Sequence, residues 1–200
     1  MNAKTLLLIA ASCSIVWSVP GVAAGQAASE NTVERGLKIS PVSVNLQGRN
    51  RNLVDWGSYL VNAVADCGGC HTFPQFLPGG DPFQGTDRAP VAPVRNARHY
   101  LGGGFCLGRV ISSNLTPNLD SGLPSNMTPQ QFTTAMRSGK GNSPTLLRIM
   151  PWPTYHNMSD RDIAAIYQYL SAIPHAEPCN SSCPPSYPNS SDCPNPAPPR

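Results

Sequence analysis

The sequence predicts an all-α domain whose helices are separated by long loops rich in glycine and proline. Apolar residues recur at helical spacing in two stretches, one after Arg51 and one after Ser159. No stretch alternates between apolar and polar residues for long enough to predict a sheet. The region from Thr72 to Asn126 is dense in glycine and proline, so we expect loops with little regular structure there.

The first predicted helix begins after Arg51 and runs directly into a cysteine-containing motif. Its apolar face is formed by residues three and four positions apart, namely Val54, Gly57, Leu60, Val61 and Val64. A glycine inside a helix costs about 1 kcal/mol relative to alanine. We therefore expect Gly57 to allow a second helix to approach closely.

The last predicted helix is the candidate partner for that approach. Ser159 is suited to be its N-cap, with Asp162 three residues later, and the helix is expected to end before Pro174. Its apolar stripe consists of Ile163, Ile166, Tyr167 and Leu170. A shorter helix lies upstream, with Thr128 as N-cap, Pro129 in the first turn, Gln131 in the capping-box position, Phe132 and Met136 inside and Gly139 as terminator.

A single C-x-x-C-H run, Cys67-Gly68-Gly69-Cys70-His71, follows the first helix. This run is the attachment signature of a c-type haem. Two thiols three positions apart can each add to a porphyrin vinyl group, and the adjoining imidazole can bind the iron from the proximal side. The sequence therefore predicts one haem, held covalently by Cys67 and Cys70 with His71 as an axial ligand of the iron.

The same two cysteines could also belong to a zinc site or to a redox-active dithiol. The C-x-x-C pair could be half of a zinc site completed by Cys179 and Cys183, but His71 would then be a surplus ligand. A thioredoxin-like dithiol usually follows a strand in a βαβ pattern, which the sequence lacks. Haem is the interpretation that uses the whole motif.

The N-terminal residues predict export to the periplasm. Lys4 precedes the apolar stretch Thr5–Val19, and small residues favour cleavage after Ala24. The stretch is too short and contains too many serines for a membrane-spanning helix. A lipoprotein would be lipidated at Cys13, but Ala10 disfavours this because a larger aliphatic residue is usual there. Export agrees with the haem motif, because this type of attachment is completed outside the bacterial cytoplasm.

Composition excludes several classes of function. Charged residues make up 12% of the chain and the formal net charge is +3, with no basic cluster, so no nucleic-acid partner is expected. No serine, histidine and acid constellation and no phosphate-binding glycine loop accompany the motif. Nothing in the sequence therefore independently indicates hydrolysis or nucleotide use.

Four cysteines remain after those of the leader and the haem motif are set aside: Cys106, Cys179, Cys183 and Cys193. In an oxidising compartment they are expected to form two disulfides, for which three pairings exist. Any complete pairing joins Cys106 to the proline-rich C-terminal tail.

The chain resembles the class I cytochrome c family, and within it the small monohaem cytochromes similar to cytochrome subunits of bacterial membrane-linked dehydrogenases. The resemblance spans residues 52–175. Beyond the haem motif it is carried by Gly57-Ser58-Tyr59-Leu60, Asp66, Thr72, Ser113-Asn114-Leu115-Thr116-Pro117, Gly122, Leu123, Thr128 to Gly139, Met150-Pro151-Trp152-Pro153, Tyr155, Met158 and Asp160 to Leu170. Cys106 and the tail after Cys179 depart from the family's pattern.

The resemblance implies a helical domain wrapped around one haem and a thioether as the sixth iron ligand. Met150, in the loop ahead of the last helix, is the expected ligand. Met158 is the first alternative, and His156 and His99 are less favoured candidates. Met158 directly precedes the N-cap Ser159, where an apolar side chain more often packs on the first turn. By the same resemblance, Asn114 and Arg148 are expected near the haem. Trp152 and Tyr155 could line the haem edge, donate a hydrogen bond to a propionate or simply pack in the core.

The expected organisation is a signal peptide at 1–24, a linker or N-terminal arm at 25–51, a cytochrome c domain at 52–175 and a Pro/Cys-rich tail at 176–200. The expected function is one-electron transfer, with a dehydrogenase as donor and an oxidase or another cytochrome as acceptor. Association with a membrane-bound complex stays open, as does the choice between a free carrier and a fixed subunit. If no thioether reached the iron, a five-coordinate haem with peroxidase or gas-binding activity would be the alternative.

Overall fold

The computed structural model describes residues 34–82, 95–108, 110–142 and 146–179. The predicted signal peptide, with Cys13, lies outside the described residues. So does the tail beyond Cys179, with Cys183 and Cys193.

Within these ranges the regular secondary structure is helical apart from one small ribbon, and loops join the elements. The helices are α1 at residues 34–39, α2 at Arg51–Tyr59 with a π-helical continuation at Leu60–Val64, α3 at Cys67–His71, a 3₁₀ turn at Ala97–His99, α4 at Pro129–Ser138, α5 at Trp152–Tyr155 and α6 at Asp160–Leu170. The ribbon pairs β1, Cys106–Leu107, with β2, Val110–Ile111, in antiparallel register. The ribbon was not predicted, because strands of this length are too short to show alternation.

Helices α2 and α6 cross at Gly57, as predicted. A β-carbon at Gly57 would lie 2.5 Å from the carbonyl carbon of Ala165 and would overlap its oxygen. The two backbones are thus in direct contact, which only a glycine permits. The prediction for Val64 was wrong, since this residue is 55% exposed beyond the crossing. The core around the crossing contains Val54, Leu60, Val61, Tyr100, Leu101, Phe132, Met136, Ile163, Ile166, Tyr167, Tyr169 and Leu170.

Both predicted caps form. The Ser159 hydroxyl accepts a hydrogen bond from the Asp162 backbone N–H, and the Asp162 carboxylate accepts one from the Ser159 N–H. Thr128 and Gln131 make the same reciprocal pair at the start of α4. That helix ends at Gly139, whose φ of 68° is left-handed.

The described part of the N-terminal arm, residues 34–50, packs on the helices. The Ser58 hydroxyl donates to the Gly36 carbonyl at 2.7 Å. Further along, the Asn45 N–H donates to the Ala172 carbonyl at 2.8 Å, and the Arg49 guanidinium donates to the Ser171 carbonyl at 2.7 Å. The arm therefore wraps across α2 and past the end of α6. Helix α1 within it was not expected, because the sequence there is polar and irregular.

In the described ranges, no helix is both long enough and apolar enough to cross a membrane.

Candidate haem-binding site

Helix α3 presents both motif thiols on one turn. Asp66, just before the helix, has a left-handed backbone with φ of 41° and ψ of 51°, which turns the chain out of the π-helical segment. Residues three apart on a helix share a face, so Cys67 and Cys70 lie on the same side of the turn. Cys67 is half-buried and Cys70 is exposed. A β-carbon at Gly69 would lie 2.6 Å from an Asp66 carboxylate oxygen, which explains the small residue there.

The His71 ring is oriented by a hydrogen bond to a backbone carbonyl. Its Nδ1 lies 2.8 Å from the Ser113 carbonyl oxygen, and because a carbonyl can only accept, Nδ1 must carry the proton. The other ring nitrogen, Nε2, then keeps its lone pair. Burial lowers the pKa of His71 although the Ser113 carbonyl acts in the opposite direction. The ring is therefore a neutral imidazole with a defined tautomer, which is the form that binds a metal.

The thiols of this turn are not activated for redox exchange. Burial and then the Asp66 carboxylate raise the pKa of Cys67 to about 12, and the same two causes raise the pKa of Cys70. Redox-active dithiols work through a lowered thiol pKa. The thioredoxin-like interpretation therefore finds no support in this geometry.

The zinc interpretation also lacks its ligands. Within the ranges that the structure describes, no three His, Cys, Asp or Glu side chains are grouped to hold a metal ion. Cys179, one of the thiols required for that site, is disulfide-bonded instead. Cys183, the other, lies outside the described residues.

Cys106 is disulfide-bonded as well, and the free thiols of the described chain are Cys67 and Cys70. The motif cysteines thus remain available for a cofactor. The arrangement of all four other cysteines into two disulfides stays a prediction, because Cys183 and Cys193 are not described.

Helix α5 contacts the chain just before the motif, and Met150 lies two residues before this helix. The Tyr155 hydroxyl donates to the Ala65 carbonyl at 3.2 Å. Burial, followed by the nearby Cys67, Cys70 and Asp66 groups, raises the pKa of Tyr155 to about 12. Met150, two residues before α5, is half-buried and packs against the core cluster.

Helix α5 is fixed from the other side by α4. The Trp152 ring covers Gly139, where a β-carbon would lie 2.5 Å from the indole Cδ1. Arg137 donates to the His156 carbonyl and, at 2.7 Å, to an Asp160 carboxylate oxygen. His156 Nδ1 in turn donates to the Arg137 carbonyl at 2.7 Å. The segment from Trp152 to Asp160, which follows Met150, is therefore fastened to α4 near both of its ends.

The alternative sixth ligands have other roles in the described chain. Met158 is half-buried and packs against the core directly before the N-cap of α6. His156 ties α4 to the turn after α5, and His99 Nδ1 donates to the Glu177 carbonyl at 2.9 Å. Arg148 is exposed, and the Asn114 amide donates to the Ala176 carbonyl at 2.7 Å.

The residues present fit a haem. Two thiols share one face, a neutral imidazole has a free Nε2, and large apolar side chains stand exposed in the segments next to the motif and to Met150. These are Val64, Leu77, Leu146 and Ile149, each at least 40% exposed. Apolar surface of this kind is unfavourable in water, and a porphyrin would cover it.

An apolar cleft of about 450 Å³ adjoins the motif on the chain that follows it. Its walls include Phe73, Phe76, Leu77 and Phe105, and the first and last of these rings lie 5.8 Å apart. Gln75, also in this wall, donates its side-chain amide to the Gly69 carbonyl. The loop after the haem motif is thereby fastened to α3.

Sequence reasoning missed two contributors to the site. The Ser113 carbonyl that orients His71 is a backbone group, so the residue type at this position could not indicate its role. Tyr100 packs on α3, with its ring 3.7 Å from where a β-carbon of Gly68 would lie. Its position in a glycine-rich loop gave no helical or strand period from which burial could be predicted.

Three characterised proteins are similar to this chain, and all are cytochrome subunits of dehydrogenases. The gluconate 2-dehydrogenase cytochrome c subunit of Pantoea cypripedii is 34% identical over 122 residues, which is 60% of this chain and 23% of that protein. The fructose dehydrogenase cytochrome subunit of Gluconobacter japonicus is 27% identical over 139 residues, covering 67% of this chain and 24% of its own length. The cytochrome c subunit of the quinone alcohol dehydrogenase of Gluconobacter oxydans (strain 621H) is 27% identical over 137 residues, with the same coverage.

No family model matches the chain. The chain spans about a quarter of the length of the curated relatives that it matches. The similarity agrees with the class I cytochrome c resemblance that the motifs carry. By its motif, its helices and its relatives, the chain is similar to cytochrome c subunits of dehydrogenases.

Proposed function

We propose that this protein is a monohaem c-type cytochrome that transfers single electrons. Cys67 and Cys70 form the two thioether bonds to one haem, and His71 is the proximal axial ligand. Met150 is the distal ligand, with Met158 as its alternative. The protein is a carrier or an electron-transfer subunit and not itself a catalyst.

The state of His71 is the observation that carries this proposal. Its ring is neutral, its Nδ1 proton is committed to the Ser113 carbonyl, and its Nε2 is left for a metal beside two free thiols. What distinguishes His71 from the other histidines is its place at the end of the C-x-x-C-H run, directly after two free thiols. The similarity to three cytochrome subunits supports the same conclusion.

When bound, the haem iron supplies reversible one-electron oxidation and reduction. The protein's part is to occupy both axial positions, so that no site is left for a substrate and little rearrangement accompanies electron gain or loss. A soft thioether such as that of Met150 favours the ferrous state and raises the reduction potential. The Ser113 carbonyl would orient His71, and the contacts between α5 and α4 would hold the segment that carries Met150.

A dehydrogenase is the proposed electron donor, since the similar proteins are subunits of such enzymes. An oxidase or another cytochrome accepts the electron. The protein acts either as a free carrier or as a subunit of a membrane-bound complex. Export to the periplasm follows from the predicted signal peptide and from the need to attach haem there. Two disulfides, one of them joining Cys106 to the tail, complete the proposal.

The direct test is to express the full chain in a bacterium with a c-haem maturation system. We expect covalently bound haem, visible by haem staining after denaturing electrophoresis, at one haem per chain by the pyridine haemochrome assay. The Cys67→Ala/Cys70→Ala double variant should lose the covalent haem. Asn118→Ala, which alters only a surface turn, should keep it.

Elemental analysis of the same preparations separates the competing interpretation. Iron in equimolar amount with haem agrees with the proposal. Zinc bound in place of iron, with no covalent haem on the wild-type chain, would contradict it.

A further inference from the structure

The chain after α6 forms a strap, residues 174–179, that lies along the loop between Tyr100 and Pro117. The strap packs against a Gly-Gly-Gly run in that loop: a β-carbon at Gly102 would lie 2.8 Å from the Glu177 carbonyl oxygen, and one at Gly104 would lie 3.2 Å from the Pro178 Cβ. Cys179, at the end of the strap, is disulfide-bonded. The strap is thus in close contact with the glycine run of the loop.

Asn114 and Thr116 form the polar link between the loop and the strap. The Asn114 amide donates to the Ala176 carbonyl at 2.7 Å, and the Ala176 N–H donates to the Thr116 hydroxyl at 3.1 Å. The Thr116 hydroxyl donates to the Asn114 Oδ1 at 2.6 Å, which closes the set. Thr116 is 2% exposed, so these bonds are shielded from water.

A second link clamps the same stretch. His175 Nδ1 donates to the Pro117 carbonyl at 2.7 Å, while its Nε2 lies 2.7 Å from a Glu177 carboxylate oxygen. Both ends of the segment 114–117 are therefore tied to the strap.

The segment that the strap holds continues directly into the group that orients His71. Ser113, whose carbonyl oxygen lies 2.8 Å from His71 Nδ1, precedes Asn114. On its other side, Gly103 adopts a φ of 77° and its N–H donates to the His71 carbonyl at 2.8 Å. A β-carbon at Gly103 would lie 2.6 Å from both the Ser112 carbonyl oxygen and the Ser113 carbonyl carbon, so the backbones at Gly103 and Ser113 are in close contact.

We propose that the strap, acting through Asn114 and Thr116, is a positioning element for His71 and thereby sets the reduction potential of the iron that His71 binds. This inference rests on the proposed function. The side chains of Asn114 and Thr116 hydrogen-bond to each other and to the strap at Ala176. They fix the carbonyl that accepts the His71 Nδ1 proton.

The direction of the effect follows from the chemistry of the imidazole. A strong hydrogen bond from Nδ1 makes the ring a more basic ligand, and a more basic ligand favours ferric iron. If the Ser113 carbonyl is released from the strap, the hydrogen bond to His71 weakens. The midpoint potential should then rise.

The test compares haem-loaded full-length variants that carry no new charge. Asn114→Ala removes the hydrogen bond to the Ala176 carbonyl and Thr116→Val removes the acceptor of the Ala176 N–H. Thr116→Ser keeps the hydroxyl, and Asn118→Ala changes an asparagine that caps its own turn. Midpoint potentials are measured by spectroelectrochemistry, and the ferric protein is examined by paramagnetic NMR for the proximal histidine resonances. We expect a raised potential and shifted histidine resonances in the first two variants and wild-type values in the other two.

A merely structural role for Asn114 would lower the thermal midpoint and leave the potential and the histidine resonances of the folded protein unchanged. That result would overturn the inference while leaving the proposed function intact. Absence of covalent haem in the wild-type chain would instead overturn the proposed function, and the inference with it. If Asn114→Ala does not mature, the Thr116→Val and Thr116→Ser pair decides the question alone.

Discussion

Gly57 is the residue on which the packing of the helices depends most directly. Its missing side chain lets α2 touch the backbone of α6 at Ala165. Alanine is intrinsically the better helix former by about 1 kcal/mol, so propensity alone predicts that Gly57→Ala stabilises the protein. The contact predicts the opposite sign, because the neighbour is backbone and cannot rotate away.

We expect Gly57→Ala to lower the free energy of unfolding by about 1–3 kcal/mol or more, as for an overpacked core. Urea denaturation followed by far-UV circular dichroism measures the change. Asn52→Ala, at an exposed position of the same helix, is the matched control and should stay within about 0.5 kcal/mol of wild type. A stabilised Gly57→Ala variant would show that the helices do not cross as described.

Tyr100 is a buried residue that packs on the motif helix. Its hydroxyl donates to the Asn62 side-chain oxygen at 2.6 Å and lies 3.2 Å from the Tyr169 hydroxyl. Tyr169 is in turn 2.8 Å from the Ser40 hydroxyl of the arm. This network joins the π-helical segment, α6 and the arm in a core that is otherwise apolar.

Tyr100→Phe removes the donor to the half-buried Asn62 oxygen. Because a hydrogen bond contributes about 0.5–1.5 kcal/mol net to stability, we expect the unfolding free energy to fall by about that amount. Tyr59→Phe, which removes a hydroxyl outside the network from a ring stacked on Trp56, is the control. Equal stability of Tyr100→Phe and wild type, by the same urea titration, would be evidence against the network.

At the scale of elements, the start of α6 is joined to α2 through one carboxylate. The Trp56 indole N–H donates to an Asp162 carboxylate oxygen at 2.7 Å, and Asp162 also caps the helix with Ser159. Burial alone would raise the pKa of Asp162, but the hydrogen bonds from Trp56 and Ser159 outweigh it and hold the pKa below the ordinary 3.8. The ionised form is therefore favoured by folding.

A lowered pKa in the folded state adds stability above the unfolded-state pKa, and this stability is lost as the pH falls through the folded-state value. We expect Asp162→Asn to be less stable than wild type at neutral pH, with the difference shrinking as the pH is lowered from about 5 to about 2. Thermal midpoints across that range provide the measurement. Asp120→Asn, on an exposed loop, should follow the wild-type curve, and a constant gap for Asp162→Asn would contradict the account.

Which elements were predictable depends on how local their causes are. Helices α2, α4 and α6 were predicted because the apolar spacing and the cap residues that indicate a helix lie within a few residues of each other in the sequence. Helix α1 and the strap were not, because their positions depend on backbone contacts with distant segments, such as Gly36 against Asp55. Sequence patterns carry no record of such contacts.

At the scale of the whole molecule, the candidate site is built where three separate segments meet. Helix α3 supplies the thiols and His71, the loop at Ser113 orients the imidazole, and α5, which begins two residues after Met150, contacts Ala65 through the Tyr155 hydroxyl. The cysteines and ligand candidates could be named from the sequence, because a spacing motif and a family resemblance point to them. The support behind them could not, since the Ser113 carbonyl and the strap act through backbone atoms.

The central claim is that this assembly holds a six-coordinate iron between His71 and Met150. The most direct measurement is the absorption spectrum of the ferric, haem-loaded protein beside those of Met150→Ala and Met158→Ala. We expect a low-spin spectrum with the weak far-red band of a methionine–iron bond, lost in Met150→Ala and kept in Met158→Ala. A wild-type spectrum that lacks this band and shows high-spin features, with rapid carbon monoxide binding after reduction, would contradict the carrier function and indicate an open iron site.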